Sequence, residues 1–389
     1  MITRIEIDGF TSFLDFQLDI PPFLALVGPN SSGKSNLLDA LEYVRRAGRS
    51  DENPLLAFRR GRPQELFHRV GKGPAATRFE IHTHVVTQFE GVLLPQAFGG
   101  GAEMDDDGVP YAVKLHSAPE VAVAGLPGWV ADQRLKELAR IAREQAPEQV
   151  LALRHLDLLK RELGNWRLHQ PDPEKLRSRS STASNGPLEP DGGNLATVLG
   201  RLAAHGAIEE LLVDLAALIP DIAGIQPVLD DRYQEWTFEV LMDGQGSVPS
   251  TLLSDGTLRV IALLAALHDP DHAGVLLIEE IENGLHPSRL AELLRRIQER
   301  VTDLNDPECV NRPLRQVILT THSPVVVSEL YRLRPDALVF LDTAVRVDPD
   351  HDRVSRVTVA KPVRSEGEPG TFVSPRQVRK YLSAVGEVP

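Results

Sequence analysis

The chain has 389 residues, of which 42% are hydrophobic and 25% charged, with a formal net charge of −13. Those values belong to a folded chain with one large or two ordinary domains and exclude a disordered one. The acidic balance excludes a surface that is basic all over, and the single cysteine, Cys309, excludes an internal disulfide and a cysteine-based metal cluster.

Residues Met1–Asp8 lack the charged start and apolar run of a signal peptide, and no uncharged apolar stretch approaches the roughly 20 residues that span a bilayer. A soluble, cytoplasmic protein with no membrane partner is therefore expected. Ile2, Ile5 and Ile7 nearly alternate with polar residues, Asp8-Gly9 marks a turn, and Phe13–Ile20 alternates again, so the chain opens as strand, turn, strand. Phe23–Val27 is continuously apolar, as in a strand buried on both faces. After a Gly-rich loop, Leu37, Leu38, Leu41 and Val44 predict a helix over 35–46. Residues 45–72 gather Arg45, Arg46, Arg49, Arg59, Arg60, Arg62, Arg69 and Lys72, which reads as a solvated segment or as a patch for nucleic acid or an acidic partner. Residues 76–94 read as further sheet.

The next stretch differs in character. Phe98–Gly108 reads as a loop, 131–163 as a helical segment interrupted at Pro147, and Arg177–Pro190 as a mobile polar loop. Asn194 is placed to cap a helix over 195–204. The predicted division is an alternating α/β domain of 1–95 plus 250–389, with 96–249 as a mainly helical inserted lobe. Beyond it, a helix begins near Ser254, strands cover 275–278 and 317–321, and a helix covers 288–300. A last strand at 337–341 precedes a polar tail and a short helix around 376–384.

Four motifs carry chemistry. Gly28-Pro29-Asn30-Ser31-Ser32-Gly33-Lys34-Ser35 matches G-x-x-x-x-G-K-[ST] between a buried strand and a helix, the context of a P-loop. Its backbone N–H groups and helix dipole suit the phosphates of ATP; Gly28 through Asn36 form the expected ATP-binding segment. Lys34 would bridge the β- and γ-phosphates, and the Ser35 hydroxyl would bind Mg²⁺. Ile278 is followed by Glu279 and Glu280, two acids at the carboxyl end of a buried strand. Glu279 would hold Mg²⁺ and Glu280 would polarise the attacking water. Thr320-Thr321-His322 ends another apolar strand, from which His322 could contact the γ-phosphate. Leu253-Ser254-Asp255-Gly256 starts a helix and offers a second anion site, too close in sequence to the acid pair to suit its own P-loop.

In this order the motifs resemble ATP-binding-cassette (ABC) ATPases, and more narrowly the RecF, SMC and OLD branch with its related bacterial "AAA family" ATPases. Leu253–Arg259, Glu282–Pro287 and Thr320–Pro324 carry the narrower likeness. The resemblance implies an α/β P-loop NTPase fold of the ABC type, with a mixed sheet flanked by helices, and Mg-dependent ATP hydrolysis. It also implies a head-to-tail, ATP-dependent homodimer in which Ser254, Asp255 and Gly256 of one chain complete the partner's P-loop, with 283–286 near the same junction. The glutamine loop of cassette ATPases is not placed; Gln64 and Gln88 are candidates. The stretch after His322 is not expected to form the Toprim nuclease domain of OLD nucleases, and Asp342, Asp348, Asp350 and Asp352 read as loop charge. The expected role is an ATP switch in DNA maintenance or anti-phage defence with a separate effector protein. A RecF-like clamp on DNA and the ATPase subunit of a transporter are the alternatives.

Overall fold

The computed structural model describes residues 1–48, 53–55, 61–69, 76–89, 92–113, 117–118, 157–271, 274–348 and 353–384. They fall into two units: Met1–Trp166 with Thr302–Pro389, and Arg167–Val301. The divisions lie after Trp166 and Val301 rather than near 95 and 249. The P-loop and His322 therefore belong to the first unit, and the signature segment and acid pair to the second.

The first unit opens with β1 (Ile2–Asp8), β2 (Phe16–Asp19) and β3 (Phe23–Val27), the last buried at every residue. Helix α1 (Lys34–Ala47) buries Leu37, Leu38, Leu41 and Val44, as the apolar spacing predicts. Strands β4 (Arg78–Phe89), β5 (Val92–Met104), β6 (Pro110–Val113) and β7 (Ser117–Ala118) then extend an antiparallel sheet. Its order is β2-β1-β4-β5-β6, with β7 also on β5.

The Gly-rich stretch expected as a loop is thus strand as far as Met104. A Cβ at Gly99 would lie 2.4 Å from His82 Nδ1, and one at Gly101 2.2 Å from the Phe79 carbonyl oxygen. The glycines let β5 press onto β4, a composition that looks like a loop when read alone. Phe79 lies edge-on to Phe10, Tyr43 and Phe67 at 5.0–5.2 Å, and the Tyr43 hydroxyl donates to the Gly101 carbonyl at 2.7 Å. This aromatic cluster seats α1 on the sheet.

Arg45 and Arg46 both bind the Glu42 carboxylate on α1, which offsets one of their two charges. Arg49, Arg59, Arg60 and Lys72 lie outside the described residues, as does 131–156 of the expected helical segment. Residues 157–164 are helical (α2).

The second unit contains β8 (Arg167–His169), α3 (Pro173–Leu176), β9 (Ser180–Ser181), α4 (Leu195–Ala204) and α5 (Ile208–Leu218). Strands β10 (Ile222–Asp230), β11 (Glu235–Met242) and β12 (Gly246–Pro249) follow. They form an antiparallel sheet with β9 on β11. Among the described residues the stretch 96–249 is therefore mixed, not mainly helical. Only Ile222, Ile225, Phe238 and Val240 of β10 and β11 are buried, which leaves little alternation to read in the sequence.

Asn194 does precede α4, but its side chain does not cap it. Its Oδ1 accepts from Glu189 N and its Nδ2 donates to the Pro187 carbonyl, closing the preceding loop. The polar loop is tied down as well, since Arg201 Nη1 donates to the Asn185 and Gly186 carbonyls, both at 2.8 Å. Helix α6 (Asp255–His268), β13 (Gly274–Ile278) and α7 (Pro287–Arg300) complete the unit. Buried Asp214 of α5 accepts from His268 Nε2, Arg296 Nη1 and Arg300 Nη2, joining three helices at one carboxylate.

The chain then returns to the first unit with β14 (Arg315–Thr321), α8 (Pro324–Leu333), β15 (Leu338–Asp348), β16 (Arg353–Pro362) and α9 (Pro375–Ala384). Here β14 and β15 flank β3 in parallel, and β16 runs antiparallel to β15. The polar tail expected after Leu341 is in large part this hairpin. Asp342 belongs to it and binds Lys361 at 2.8 Å, which holds its carboxyl below the usual range. Asp350 and Asp352 lie outside the described residues. Among the described residues no helix is long and apolar enough to cross a membrane.

Candidate nucleotide-binding site

In the first unit the P-loop leaves β3 at Gly28, and its conformation explains its composition. Ser31 has φ +66° and Gly33 φ +100°, so the loop curls before α1 begins at Lys34. A Cβ at Gly28 would lie 2.4 Å from the Leu341 carbonyl oxygen, and one at Gly33 2.2 Å from Thr358 Oγ1. Pro29, Asn30 and Ser31 form an exposed crest, while Ser32, Gly33 and Lys34 are buried. Lys34 Nζ donates to the Gly28 and Pro29 carbonyls at 2.7 and 3.0 Å, folding its charge back over the loop. Asn36 Nδ2 donates to Ser12 Oγ at 2.9 Å.

The parallel register pairs Thr321 with Val27, which sets His322 level with Gly28 at neighbouring strand ends. His322 is exposed, and the Tyr381 hydroxyl of α9 lies 3.5 Å from its carbonyl. The P-loop and the histidine are thus brought to one edge of the sheet by pairing alone.

In the second unit β8 and β13 pair in parallel, with His169 opposite Ile278. The residues that follow, Gln170 and Glu279, come together: Gln170 Nε2 donates to Glu279 Oε2. Sequence reasoning missed Gln170, because a three-residue strand leaves no periodicity to detect. Of the two glutamines it did name, Gln88 donates to the Val310 carbonyl and Gln64 sits in a short 3-10 helix. Glu280 has φ +50°, and Asn283 Nδ2 donates to its carboxylate at 2.7 Å while Asn283 N donates to its carbonyl. A non-glycine residue in this region carries of order 1 kcal/mol of strain, held here by the turn around it. Both acids are half-buried.

His169 is buried beside Arg259. Burial first and the guanidinium second push its pKa down to about 4, so the imidazole is neutral next to Gln170.

Ser254 caps α6, its Oγ accepting from Thr257 N at 3.2 Å. Arg177 donates to the Leu253 carbonyl at 3.0 Å and pairs with Asp255. A Cβ at Gly256 would lie 2.3 Å from the Gly284 carbonyl oxygen. The signature glycine thus rests directly on the segment 283–286 that follows the acids. Ser254 and Asp255 are exposed at the helix's amino end, where N–H groups and dipole favour an anion.

A family model described as "AAA domain, putative AbiEii toxin, Type IV TA system" matches residues 23–88 and 144–328, more than half of the chain. A 44-residue stretch is 52% identical to the chromosome partition protein Smc of Methanocaldococcus jannaschii, covering 11% of this chain and 4% of that protein's length. Among solved structures, an SmcHead bound to the C-winged helix domain of ScpA aligns with a TM-score of 0.57 at 16% identity. That match covers 92% of this chain and 98% of the other. The Smc head domain from Pyrococcus yayanosii, with a coiled coil and joint, aligns with a TM-score of 0.53 at 13% identity, over 99% of both chains. The Smc head domain with an extended coiled coil bound to the C-terminal domain of ScpA, derived from Pyrococcus furiosus, gives 0.52 at 16%, again over 99% of both. At such identities the likeness establishes the fold: an α/β, SMC-head-like P-loop fold.

Proposed function

The chain belongs to the AAA-domain family whose model it matches, a P-loop ATPase family, and from that premise we propose that it is an ATP-dependent dimerisation switch. In this reading it serves DNA maintenance or anti-phage defence through a separate effector protein. The family description, which names a toxin–antitoxin system, supports the defence side.

The observation that carries the reading is the signature segment. Ser254 and Asp255 stand exposed at a helix amino end that Arg177 and the Gly256–Gly284 contact hold in place. An anion site so built, facing solvent, suits a phosphate presented by a second copy.

The residues then divide the chemistry. The N–H groups of Gly28–Lys34 cradle the phosphates, and Lys34 exchanges its two loop carbonyls for β- and γ-phosphate oxygens. Ser35 and Glu279 offer the hard oxygen donors that Mg²⁺ takes, and the ion, when bound, offsets phosphate charge. Gln170 orients the Glu279 carboxylate. Glu280, aimed by Asn283, accepts the proton of the attacking water as its oxygen bonds to the γ-phosphorus and the bond to ADP breaks. His322 hydrogen-bonds the γ-phosphate, so that its loss is felt at the strand end. Hydrolysis removes the contacts that hold two copies together.

The test is the mass of Glu280→Gln protein by light scattering, with and without Mg-ATP. A shift from one protomer to two is expected, with ATP bound and hydrolysis at least about 100-fold slower. Lys34→Ala should lose both binding and the shift. Wild-type hydrolysis by Glu280→Gln would remove Glu280 from the role of base.

A further inference from the structure

Resting on the reading of Gly28–Asn36 as a nucleotide site, we infer that Thr358 of β16 is a positioning residue that locks the Ser32–Gly33 peptide for phosphate binding. Four groups form a hydrogen-bonded chain. Asn36 Nδ2 lies 2.9 Å from Ser12 Oγ, Ser12 Oγ lies 2.7 Å from Thr358 Oγ1, and Thr358 Oγ1 lies 3.0 Å from the Ser32 carbonyl oxygen.

Its ends fix its direction. An amide NH₂ only donates and a carbonyl only accepts, so Asn36 donates to Ser12, Ser12 to Thr358, and Thr358 to Ser32. Hydrogen bonds aligned this way strengthen one another, and Thr358 is 3% exposed, so water does not compete at the last step. The main chain adds a second tie, Thr358 N donating to the Ser12 carbonyl at 2.8 Å.

What the chain holds is one peptide plane. There is no cis peptide among the described residues, and in a trans peptide the C=O and N–H point to opposite sides. Fixing the Ser32 carbonyl on Thr358 therefore turns the Gly33 N–H away from β16, toward the side where phosphate oxygens are cradled. A hydrogen bond accepted by that carbonyl also polarises the peptide and makes the same N–H a stronger donor. Gly33 is required for the same reason, since a Cβ there would meet Thr358 Oγ1 at 2.2 Å and Cγ2 at 2.9 Å.

Ser12 and Thr358 both lie outside the segments matched by the family model, 23–88 and 144–328. The lock is thus supplied by elements beyond the motif it serves. Leu341 of β15, whose carbonyl abuts Gly28, makes the same hairpin support the loop at its other glycine.

The experiment uses the full chain and isothermal titration with Mg-ADP. Thr358→Val keeps the shape and removes the hydroxyl; about tenfold weaker binding is expected, with the melting temperature of the nucleotide-free protein changed by less than about 3 °C. Thr358→Ser keeps the hydroxyl and should bind within about twofold of wild type. Ser12→Ala, which removes the middle of the chain, should fall between them and carries the test if Thr358→Val does not fold. In ¹⁵N spectra the Gly33 amide proton should also move upfield in Thr358→Val with Mg-ADP bound. Affinity of Thr358→Val and Ser12→Ala equal to wild type, or a loss in Thr358→Ser as large as in Thr358→Val, overturns the inference. A wild-type chain that binds no Mg-ADP would instead overturn the nucleotide reading itself, and the inference with it.

Discussion

Single side chains in this protein are set by what surrounds them more than by their type. His169 is the clearest instance. Its ordinary pKa is near 6.5, and burial with Arg259 beside it brings the value in the fold down to about 4. Between those values the unfolded chain binds a proton that the native chain does not, so stability falls as pH falls through this window. The difference of about 2.5 units corresponds to about 3 kcal/mol. Urea unfolding of wild type between pH 7 and 4 should show that loss, and His169→Gln should lose about that much less. Equal slopes in the two proteins would mean that His169 takes up its proton normally in the fold. Glu280 makes the same point through the backbone: its left-handed φ is sustained by the turn that Asn283 closes.

At the scale of elements, helix ends and strand ends carry the chemistry, and glycines set how closely they meet. The contact of Gly256 with the Gly284 carbonyl joins the start of α6 to the segment before α7. Gly256→Ala should cost about 1–3 kcal/mol through overpacking and displace 283–286. It should also abolish the ATP-induced mass shift in a Glu280→Gln background, read by light scattering. A Gly256→Ala protein with wild-type stability and an intact shift would show that this contact yields without consequence.

At the scale of the molecule, the dimer proposal demands that defects in different chains complement. Lys34→Ala removes the P-loop cation and Ser254→Arg fills the signature with charge and bulk, so each protein alone should hydrolyse no ATP. Mixed in equal amounts, half of the dimers would pair the two, and each such pair would hold one site with both intact parts. Activity of about a quarter of wild type is expected from the mixture. No recovery would mean that the signature acts within its own chain or with another partner.

Much of this was legible in the sequence. The P-loop is legible locally: a continuous apolar run, a Gly-rich turn with Gly33 at positive φ and a helix after it lie within a few positions of one another. The same holds for the start of α6 near Ser254 and for the acids that follow β13. What the sequence did not reveal depended on neighbours distant along the chain. The glycines of β5 looked like a loop because the strand that requires them, β4, is invisible in their own spacing. Asn194 has the chemistry of a cap but spends it on the loop behind it. Gln170 follows a strand too short for any pattern, and only the pairing of β8 with β13 sets it on Glu279. Thr358 and Ser12 are ordinary hydroxyl residues, 346 positions apart, until β16 folds back onto the phosphate loop. The sequence by itself determined the phosphate loop, the strand ends and the start of α6, because short-range sterics and hydrogen bonding specify them. Only the tertiary structure decided which glutamine meets the acid, which hydroxyl holds the loop and which glycines are pressed, because those depend on strand pairing across the chain.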